Sequence, residues 1–505
     1  MTLLMQSSRL RLGIVVICFF ALLLPVRAVA DEAAKVYVIL WFDTEDYILP
    51  ASDGATLRLA RFLTREFIRA VFKIVGERAR SFERRGRDDV IEALKKHEIG
   101  FHSHWHSVHP TPAMYLSSLG WDDGVAEFDR REKPGYDDVK RIFGVAPSCY
   151  GQPGSSWGPQ SYGAMKKWGM PVYLDAGDHV NLDNRPCWYG GALNLYKLEH
   201  TLRADLTKLD KLQDAEDRFA KARQKILAEG GGIVSIYYHP CEFVHKQFWD
   251  GVNFSKGANP PREQWQEPPM KSEEEQRIAW EVFERYIRFI KKFPEVEFIT
   301  ATEAAKLYRD KAQGRAFEAK ELKSIAAAVG ANVTFQRRGD HCLAASEVFA
   351  LLNEHFVARN AGKQHANITL RGTPDGPANP TPEMKDAVTT DWSQFTRTAQ
   401  DVQDYLDKQK RIPTTVWLGS AGVTPESYLR GLAEVVVQLA EGKEPPKTLS
   451  LQPARLAAAD HVAADNPRLW GWVIFPPGFR APAMMELAKR QAWTLKPALL
   501  DRKKD

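Results

Sequence analysis

The sequence predicts an α/β fold over residues 31–312, built either as an α/β barrel or as a doubly wound sheet, with a mainly helical C-terminal part after it. Within residues 31–312, short apolar runs alternate with amphipathic stretches of helix length. This order is typical of a parallel sheet covered by helices. Residues 313–505 instead contain amphipathic helices and loops rich in Pro and Gly. Because 505 residues exceed what one compact core usually holds, we expect at least two domains.

Seven short apolar runs are predicted to form strands. The run at residues 36–41 (VYVILW) is apolar throughout, as in a strand buried on both faces of a parallel sheet. The other runs lie at residues 71–75, 99–101, 148–150, 172–174, 233–238 and 298–299. Between the strands, residues 88–97 and 274–292 place apolar side chains on one face of a predicted helix.

The C-terminal part, residues 313–505, has helix and turn signals of its own. Residues 371–381 are rich in Pro and Gly and predict a loop, whereas residues 399–408 predict an amphipathic helix. Thr424, followed by a proline, is typical of a helix N-cap and its first turn. Residues 423–432 faintly echo residues 343–352, which predicts a degenerate two-copy repeat.

Composition narrows the class of protein. The chain is 44% hydrophobic and 26% charged, which is typical of globular proteins. Its 69 Lys and Arg against 64 Asp and Glu give a net charge of +5, a small excess for this length. A nucleic-acid-binding protein would show a stronger basic bias or stripe. We therefore expect no nucleic-acid partner.

Residues 1–30 have the pattern of a secretory signal peptide. Two arginines precede an apolar run at residues 12–24, and small residues around Ala30 provide a cleavage site. The apolar run is shorter than the about 20 residues that a spanning helix needs. We expect export to the periplasm, the cell surface or the exterior, with no stable membrane span after processing; an uncleaved anchor is the alternative.

The cysteines give no support to a sulfur-ligated zinc site, because no CxxC pair exists. Export would permit disulfides, but the spacing of the cysteines does not predict a pairing. Four cysteines follow residue 30: Cys149, Cys187, Cys241 and Cys342.

Polar side chains follow four of the predicted strands. In α/β barrels the carboxyl ends of the strands form the active site, so we expect these side chains to converge. They are Asp43, Glu45 and Asp46 after residues 36–41, His102, His104 and His106 after residues 99–101, Asp175 and Asp178 after residues 172–174, and His239 after residues 233–238.

His102 and His106 are the candidate metal ligands. Their spacing would place both imidazoles on one face of a helical turn. Two imidazoles and one carboxylate leave an open position on a zinc-like ion, as catalytic zinc sites do. Cobalt, nickel and manganese accept the same ligands. The alternative is a polar His-rich loop without a metal.

The three carboxylates at residues 43–46 suggest a division of labour. One would bind the ion while another acts as general base on a metal-activated water that attacks a carbonyl. The alternatives are a solvated acidic turn or a calcium loop, but the DxDxDG register of such loops is absent. His239 would be the general acid, with Asp175 or Asp178 holding its other ring nitrogen; otherwise it is a structural histidine.

The order of these motifs resembles that of the NodB-like polysaccharide deacetylases, carbohydrate esterase family four. The family motif H-[ST]-x-x-H is matched by His102, Ser103 and His106. The resemblance covers roughly residues 35–310 and implies a distorted (β/α) barrel. It also implies a divalent metal, zinc first, and removal of acetyl groups from an N-acetylated or O-acetylated polysaccharide or cell-wall glycan.

Several roles carry over from the resemblance. Asp43 is the implied base, His239 the implied acid, and Asp46, His102 and His106 the implied metal ligands, with Glu45 as the alternative to Asp46. One departure stands out: Gln152 occupies the place of an arginine that orients the base in the family. This departure leaves open a shifted substrate class, weak activity or a non-catalytic glycan-binding protein. A hydrolase of small amides on the same barrel is a further alternative.

Two further features are candidates for glycan contact. Residues 398–439 are similar to pseudomurein-binding-type repeats, which implies a cell-wall-binding accessory domain over residues 313–505; the alternative is a helical domain that shields the barrel. Large aromatic side chains near the proposed site are candidate sugar-stacking platforms. They are Trp105 and Trp157, and less directly Trp41 and Trp249.

Overall fold

The structure is a computed structural model that describes residues 34–363 and 367–501. The predicted signal peptide lies outside these residues. Among the described helices, none has the length and apolar character needed to cross a bilayer.

The strands, in chain order, are β1 (Val36–Thr44), β2 (Val71–Ile74), β3 (Glu98–Phe101), β4 (Cys149–Tyr150), β5 (Val172–Leu174), β6 (Cys187–Tyr189), β7 (Ala192–Leu195), β8 (Thr201–Leu202), β9 (Gly232–Tyr238), β10 (Val296–Ile299), β11 (Ala316–Phe317), β12 (Asn332–Val333), β13 (Gln336–Arg338), β14 (His341–Leu343), β15 (Ile368–Thr369), β16 (Val388–Asp391), β17 (Val416–Leu418), β18 (Ala421–Val423), β19 (Thr448–Leu451), β20 (Arg455–Leu456) and β21 (Lys496–Pro497).

The α-helices are α1 (Ala51–Arg65), α2 (Gly76–Arg84), α3 (Asp88–Leu94), α4 (Pro112–Leu116), α5 (Trp121–Phe143), α6 (Gln160–Trp168), α7 (Leu212–Ala228), α8 (Trp249–Asn253), α9 (Glu273–Lys291), α10 (Ala301–Leu307), α11 (Ala319–Ala327), α12 (Ala345–Asn360), α13 (Trp392–Gln409), α14 (Pro425–Ala440) and α15 (Pro482–Gln491).

A sheet of 11 strands within the described residues organises the first part of the chain. Its order is β21-β6-β7-β5-β4-β3-β2-β1-β9-β8, and β10 pairs with the first half of β1. In this order, the strands from β7 to β8 pair in parallel. Within the sheet, antiparallel pairing occurs only between β21 and β6 and between β6 and β7. The predicted α/β fold class, with a largely parallel sheet and a mainly helical C-terminal part, is confirmed.

The two faces of the sheet are covered differently. Alternate residues of β1 such as Val38 and Phe42 pack with helices α1, α5, α7 and α9 in the main core. The opposite face, with Ile39 and Trp41, packs in a smaller cluster with α10. Because most helices lie on one face, the sheet is of the barrel type and not doubly wound. Side chains on the less covered face of β1 and β2 therefore point into the interior of the barrel.

The predicted strands are all present, with bounds that differ by a few residues. They were predictable because strands buried on both faces are continuously apolar. The predicted helix at residues 274–292 is α9, whose capping box pairs Ser272 with Glu275. The predicted helix at residues 88–97 ends earlier, as α3. Strands β6, β7, β8 and β21 were not predicted, since they are short and β21 is only two residues long.

The C-terminal part forms a second core around α11–α14. Two hairpins, β13-β14 and β17-β18, each turn at a glycine with positive φ, Gly339 and Gly419, and each leads directly into a helix. The two segments predicted to be repeats, residues 343–352 and 423–432, occupy the same position in these two units. Thr424 caps α14 by accepting a hydrogen bond from the Ser427 N–H, as the sequence predicts.

After residue 457 the chain returns to the barrel. β21 pairs with β6 at the edge of the large sheet, and Leu469, Trp470 and Phe475 join the main barrel core. Residues 466–481, which we name the strap, lie across the region that follows the carboxyl ends of β3 and β4. The strap therefore brings C-terminal side chains to the candidate site.

Candidate active site

An ion pair inside the barrel fixes the first carboxylate of the site. The alternation of β1 puts Asp43 on the inner face, in register with Lys73 of β2. The Lys73 Nζ lies 2.8 Å from Asp43 Oδ1 and 2.7 Å from Asp175 Oδ2, and all three side chains are buried. Lys73 also lies over the Trp41 ring, with Nζ 4.1 Å from its centroid. A buried ammonium therefore joins the ends of β1, β2 and β5.

The charges around Asp43 favour its ionised form. Burial acts to raise the pKa of Asp43, but the neighbouring His102, Lys73 and His239 hold it below its usual value. Asp175 differs, because burial raises its pKa to about 7 despite Lys73. Of the two carboxylates that share Lys73, Asp43 is the one held ionised and available as a base.

Lys73 corrects the expectation based on Gln152. Gln152 does not contact Asp43: its amide donates to the Gly154 carbonyl and its Oε1 accepts from the Tyr173 hydroxyl. It positions the loop after β4, and Lys73 is the cation beside Asp43. The signal in the sequence was a lone charge in the apolar run VFKIV, since a lysine in a buried strand requires a buried partner.

Glu45, His102 and His106 form the second cluster. One ligand atom from each lies within 4.8 Å of the others. Glu45 Oε2 is 2.8 Å from His106 Nε2 and 3.6 Å from His102 Nε2. The spacing of the two histidines predicted a helical turn, and the structure does not have one. Ser103 and His106 instead have positive φ, and Ser103 Oγ accepts the His106 N–H. Strained, tightly bonded backbone of this kind is frequent at functional sites.

Hydrogen bonds at the far nitrogens show that this cluster fits a divalent metal. His102 Nδ1 lies 3.0 Å from the Gly151 carbonyl, and His106 Nδ1 lies 2.6 Å from Ser107 Oγ. A carbonyl only accepts, so His102 carries its proton on Nδ1, and the same assignment for His106 leaves each Nε2 bare toward Glu45. The His106 Nε2 makes no hydrogen bond despite its close approach to Glu45. Two bare imidazole nitrogens facing a carboxylate are a suitable ligand set for zinc or a similar ion.

Asp46 is not part of this cluster, in contrast to the ligand assignment carried over from the resemblance. Its Oδ1 accepts the backbone N–H groups of Ile48 and Leu49, and its Oδ2 accepts the Ser52 hydroxyl. These bonds hold Asp46 at the entry to α1. Glu45, the alternative, occupies the place beside the imidazoles, because residues 43 and 45 share one face of an extended chain.

His239, at the end of β9, faces both carboxylates. Its Nε2 is 3.7 Å from Asp43 Oδ2 and 3.9 Å from Glu45 Oε2. Burial would lower its pKa, but Glu45 and Glu242 raise the pKa to about 9, so the imidazole is protonated at neutral pH. Its Nδ1 lies 3.1 Å from Glu242 Oε1.

Neither Asp175 nor Asp178, the two predicted partners of the second His239 ring nitrogen, contacts that nitrogen, so this prediction is wrong. Asp175 pairs with Lys73, and Asp178 is exposed and pairs with Lys197. Glu242 was missed, although His239 and Glu242 flank a 3₁₀ turn at Pro240–Phe243, in which side chains three positions apart lie on one side.

Two tryptophans cover the cluster. The Trp249 ring packs against the His106 ring at 5.6 Å, and the Trp472 ring of the strap meets the His106 ring edge-on at 5.1 Å. Trp472 Nε1 donates to Asp250 Oδ2 at 2.6 Å, and its backbone N–H donates to Ser155. A Cβ at Gly154 would lie 2.2 Å from the Trp472 ring, so this roof requires a glycine there.

The roof leaves little of the site open. Asp43, Glu45, His102 and His106 are buried, whereas the His239 side chain is 16% exposed. His239 is therefore the most exposed of these five side chains.

The expected aromatic platforms fall into two groups. Trp157 is fully buried and stacks on the His179 ring at 4.9 Å, so its assignment as a substrate platform is wrong. Trp41 and Trp249 are also core residues. Trp105 is 38% exposed and stays a candidate for substrate contact.

Within residues 34–363 and 367–501, the cysteines form no disulfide. Cys149, Cys187, Cys241 and Cys342 are all free and buried.

Comparisons with known proteins add a likeness of fold. No family model matches the chain, and no curated protein sequence matches it. Among solved structures, the chain is similar to two proteins assigned as polysaccharide deacetylases. For that of Mycobacterium smegmatis the identity is 12%, the TM-score 0.36, and the match covers 55% of this chain and 90% of the other. For that of Pseudomonas aeruginosa PAO1 the identity is 12%, the TM-score 0.35, and the coverage 54% and 91%.

A third similar structure is Puue allantoinase, with 13% identity, a TM-score of 0.36, and coverage of 55% of this chain and 90% of the other. At 12–13% identity these structures give no information on the chemistry of the site. That chemistry depends on the side chains described above.

Proposed function

We propose that the protein is a divalent-metal-dependent hydrolase that removes acetyl groups from an amide or ester of a carbohydrate. The observation that supports this most is the Glu45, His102 and His106 cluster, in which both Nε2 atoms face one carboxylate. When bound, the ion would supply Lewis acidity to a water and to the substrate carbonyl. Zinc suits these ligands, and cobalt, nickel or manganese are alternatives.

Asp43 acts as the general base in this proposal. Its Oδ1 lies 2.8 Å from the Lys73 ammonium, whereas its Oδ2 faces the site, 3.7 Å from His239 Nε2, so Oδ2 is the oxygen placed to accept a proton. Lys73 keeps Asp43 ionised and fixes its position. When Asp43 takes a proton from water it becomes neutral, and Lys73 keeps an ion pair with Asp175, 2.7 Å away.

His239 acts as the general acid. Its protonated Nε2 faces the site across from the Glu45 cluster, and Glu242 holds the opposite nitrogen. The acid can therefore pass a proton to the departing nitrogen or oxygen of the substrate, with Glu242 stabilising its orientation.

The roof over the cluster favours a second candidate within the same chemistry, a hydrolase of small amides. Trp249 and Trp472 cover His106 and leave an approach only beside His239. An internal unit of a long polymer needs an open groove on both sides of the reacting group. The enclosed site is better matched to a small molecule or to the end of a chain.

Two further parts of the chain bear on where the protein acts and what it binds. We infer export from the signal-peptide pattern of residues 1–30, and glycan binding by the C-terminal part from its two hairpin–helix units. Trp417 on the second hairpin is 61% exposed, as expected of a surface aromatic that stacks on a sugar. A non-catalytic glycan-binding protein is the alternative, but the intact Lys73–Asp43 pair favours catalysis.

Metal depletion tests the proposal. The purified full chain, freed of metal by a chelator, should release no acetate from N-acetylated mono- and oligosaccharides, and added zinc should restore the release. His106→Gln should lower the bound metal and the rate together, because it removes one of three protein ligands.

His104→Gln is the matched control. The His104 ring faces away from the cluster, toward the Arg131 carbonyl and Arg80, so its metal content and rate should stay close to those of the wild type. Equal acetate release by metal-free protein would contradict the proposal. Glycan binding without acetate release from any of these substrates would favour the non-catalytic alternative.

A further inference from the structure

A second group of potential metal ligands lies on the other side of the loop that follows β1. Asp46, Cys241 and His245 are buried, and one ligand atom from each lies within 4.8 Å of the others. Asp46 comes from the loop after β1, whereas Cys241 and His245 come from the turn after β9. None of the three belongs to the Glu45, His102 and His106 cluster, although Asp46 directly follows Glu45.

His245 is the side chain that sets this group apart. It is 3% exposed, and neither of its ring nitrogens has a hydrogen-bond partner. A neutral imidazole carries one N–H donor and one acceptor, so leaving both unpaired in the interior costs free energy. A partner for these nitrogens would remove that cost.

The backbone that carries the group is anchored. The His245 N–H donates to the Cys241 carbonyl, and His245 is bridged to Met270 on the adjacent segment. Asp46 is fixed by two backbone N–H groups and Ser52. Hydrogen bonds to a ligating carboxylate are usual in metal sites, where they orient the ligand.

We propose that Asp46, Cys241 and His245 bind a second divalent cation of the zinc class. A thiolate, an imidazole and a carboxylate suit zinc or cobalt, and the thiolate disfavours magnesium and calcium. The bound ion holds the loop after β1 to the turn after β9. It thereby positions Glu45, which directly precedes Asp46, and His239, which lies two positions before Cys241. Its role is structural, because the group is enclosed.

The protonation states agree with this assignment. Burial lowers the pKa of His245 to about 4, so its imidazole is neutral and free to ligate. Burial also raises the pKa of the Cys241 thiol, so the cation must displace a proton when it binds.

Cobalt substitution tests the second site directly. The metal-depleted full chain is reconstituted with Co²⁺, and its near-ultraviolet absorption is recorded together with the metal content. A thiolate-to-cobalt charge-transfer band should appear in the wild type, and it should be absent in Cys241→Ser. Cys342→Ser, in the C-terminal part, is the matched control and should keep the band. Wild-type protein should hold one metal equivalent more than Cys241→Ser or His245→Gln.

The outcome does not depend on the proposed catalytic function. If no acetate is released but the band appears, the second site stands and the proposed function fails. If acetate release is metal-dependent while wild type and Cys241→Ser bind equal metal, the second site is refuted. Should both variants fail to fold, zinc-edge X-ray absorption of the wild type decides: a sulfur neighbour at about 2.3 Å supports the site, and only nitrogen and oxygen neighbours overturn it.

Discussion

Two buried lysines, one in the barrel and one near the C-terminus, anchor similar clusters with different consequences. Lys73 joins Asp43 and Asp175 inside the barrel. Lys496 of β21 joins Glu347 of α12, at 2.8 Å, and Asp310, at 2.6 Å. Both lysines are almost fully buried. Each cluster ties segments that are far apart in sequence.

The two clusters differ in how many hydrogen bonds and ion pairs their carboxylate oxygens make. Glu347 Oε1 accepts from Gln313 and Thr373 as well as from Lys496, and Oε2 accepts the Ala344 N–H. In the barrel, Asp43 Oδ1 pairs with Lys73 at 2.8 Å, whereas Asp43 Oδ2 has its nearest cation, His239, at 3.7 Å. A saturated network rigidifies a structure, whereas an oxygen with spare capacity can take a proton. The comparison therefore contrasts a carboxylate whose two oxygens are both held with one that keeps an oxygen directed into the site.

Replacing the two lysines should give the largest and most divergent effects. Both Lys73→Met and Lys496→Met leave buried carboxylates unpaired, which costs about 3–5 kcal/mol in each case. Only Lys73→Met should abolish acetate release beyond the loss of folded protein, because Asp43 would lose the charge that keeps it ionised. Chemical denaturation and activity per folded molecule measure the two effects.

A second substitution distinguishes charge from packing at Lys73. Adding Asp43→Asn and Asp175→Asn to Lys73→Met should recover much of the lost stability, because the unpaired charges are removed, but none of the activity. If Lys496→Met reduced activity per folded molecule as strongly as Lys73→Met, the distinction between the clusters would be lost.

Trp472→Ala should have an intermediate effect, on substrate size. Removing the indole opens the roof over His106, so hydrolysis of longer N-acetylated oligosaccharides should rise relative to the monosaccharide, by about tenfold or more. Its Asp250 partner loses a hydrogen bond, so the melting temperature should fall as well. Trp417→Ala, on the exposed hairpin, is the control and should leave the size preference for soluble substrates unchanged. An unchanged ratio in Trp472→Ala would show that the strap does not limit access.

The smallest effect on activity at neutral pH concerns a histidine whose hydrogen bonds are complete. His97 is buried, with Nε2 2.9 Å from the Ala60 carbonyl and Nδ1 accepting the Ala70 N–H at 3.3 Å. Because burial lowers its pKa to about 4, the unfolded chain takes up a proton before the folded one as the pH falls. The associated stability is present above about pH 6.5 and is lost toward pH 4, by up to about 3 kcal/mol.

Gln replaces both hydrogen bonds of His97 without titrating. His97→Gln should therefore flatten the dependence of unfolding free energy on pH between about 4 and 6.5, as measured by urea denaturation at several pH values. His461→Gln serves as the control. An unaltered slope in His97→Gln would mean that other groups account for acid destabilisation.

The sequence was most informative for strands that are buried on both faces, because their residues are mostly apolar. Strands β1, β2 and β9 could be predicted because both of their faces are covered, and the convergence of Asp43, His102 and His239 followed from the geometry of parallel strands. The structure places Glu45, and not Asp46, beside the two imidazoles, because the alternation of an extended chain puts Glu45 on the same face as Asp43.

Other parts of the site depend on tertiary contacts. The pairing of Lys73 with Asp43 requires the register of β1 and β2, which the apolar runs alone do not specify. Trp472 lies 317 positions from Ser155, which accepts its N–H, and no local pattern relates such distant residues. The strap could therefore be found only in the folded chain.

The position of Trp472 late in the chain also bears on the order of assembly. During synthesis, the strands that carry Asp43, His102 and His239 are complete long before residue 472 is made. The pocket is therefore finished last, after the second core has been translated, and shorter nascent chains have an uncovered cluster. The covered form of the site is therefore a property of the whole polypeptide.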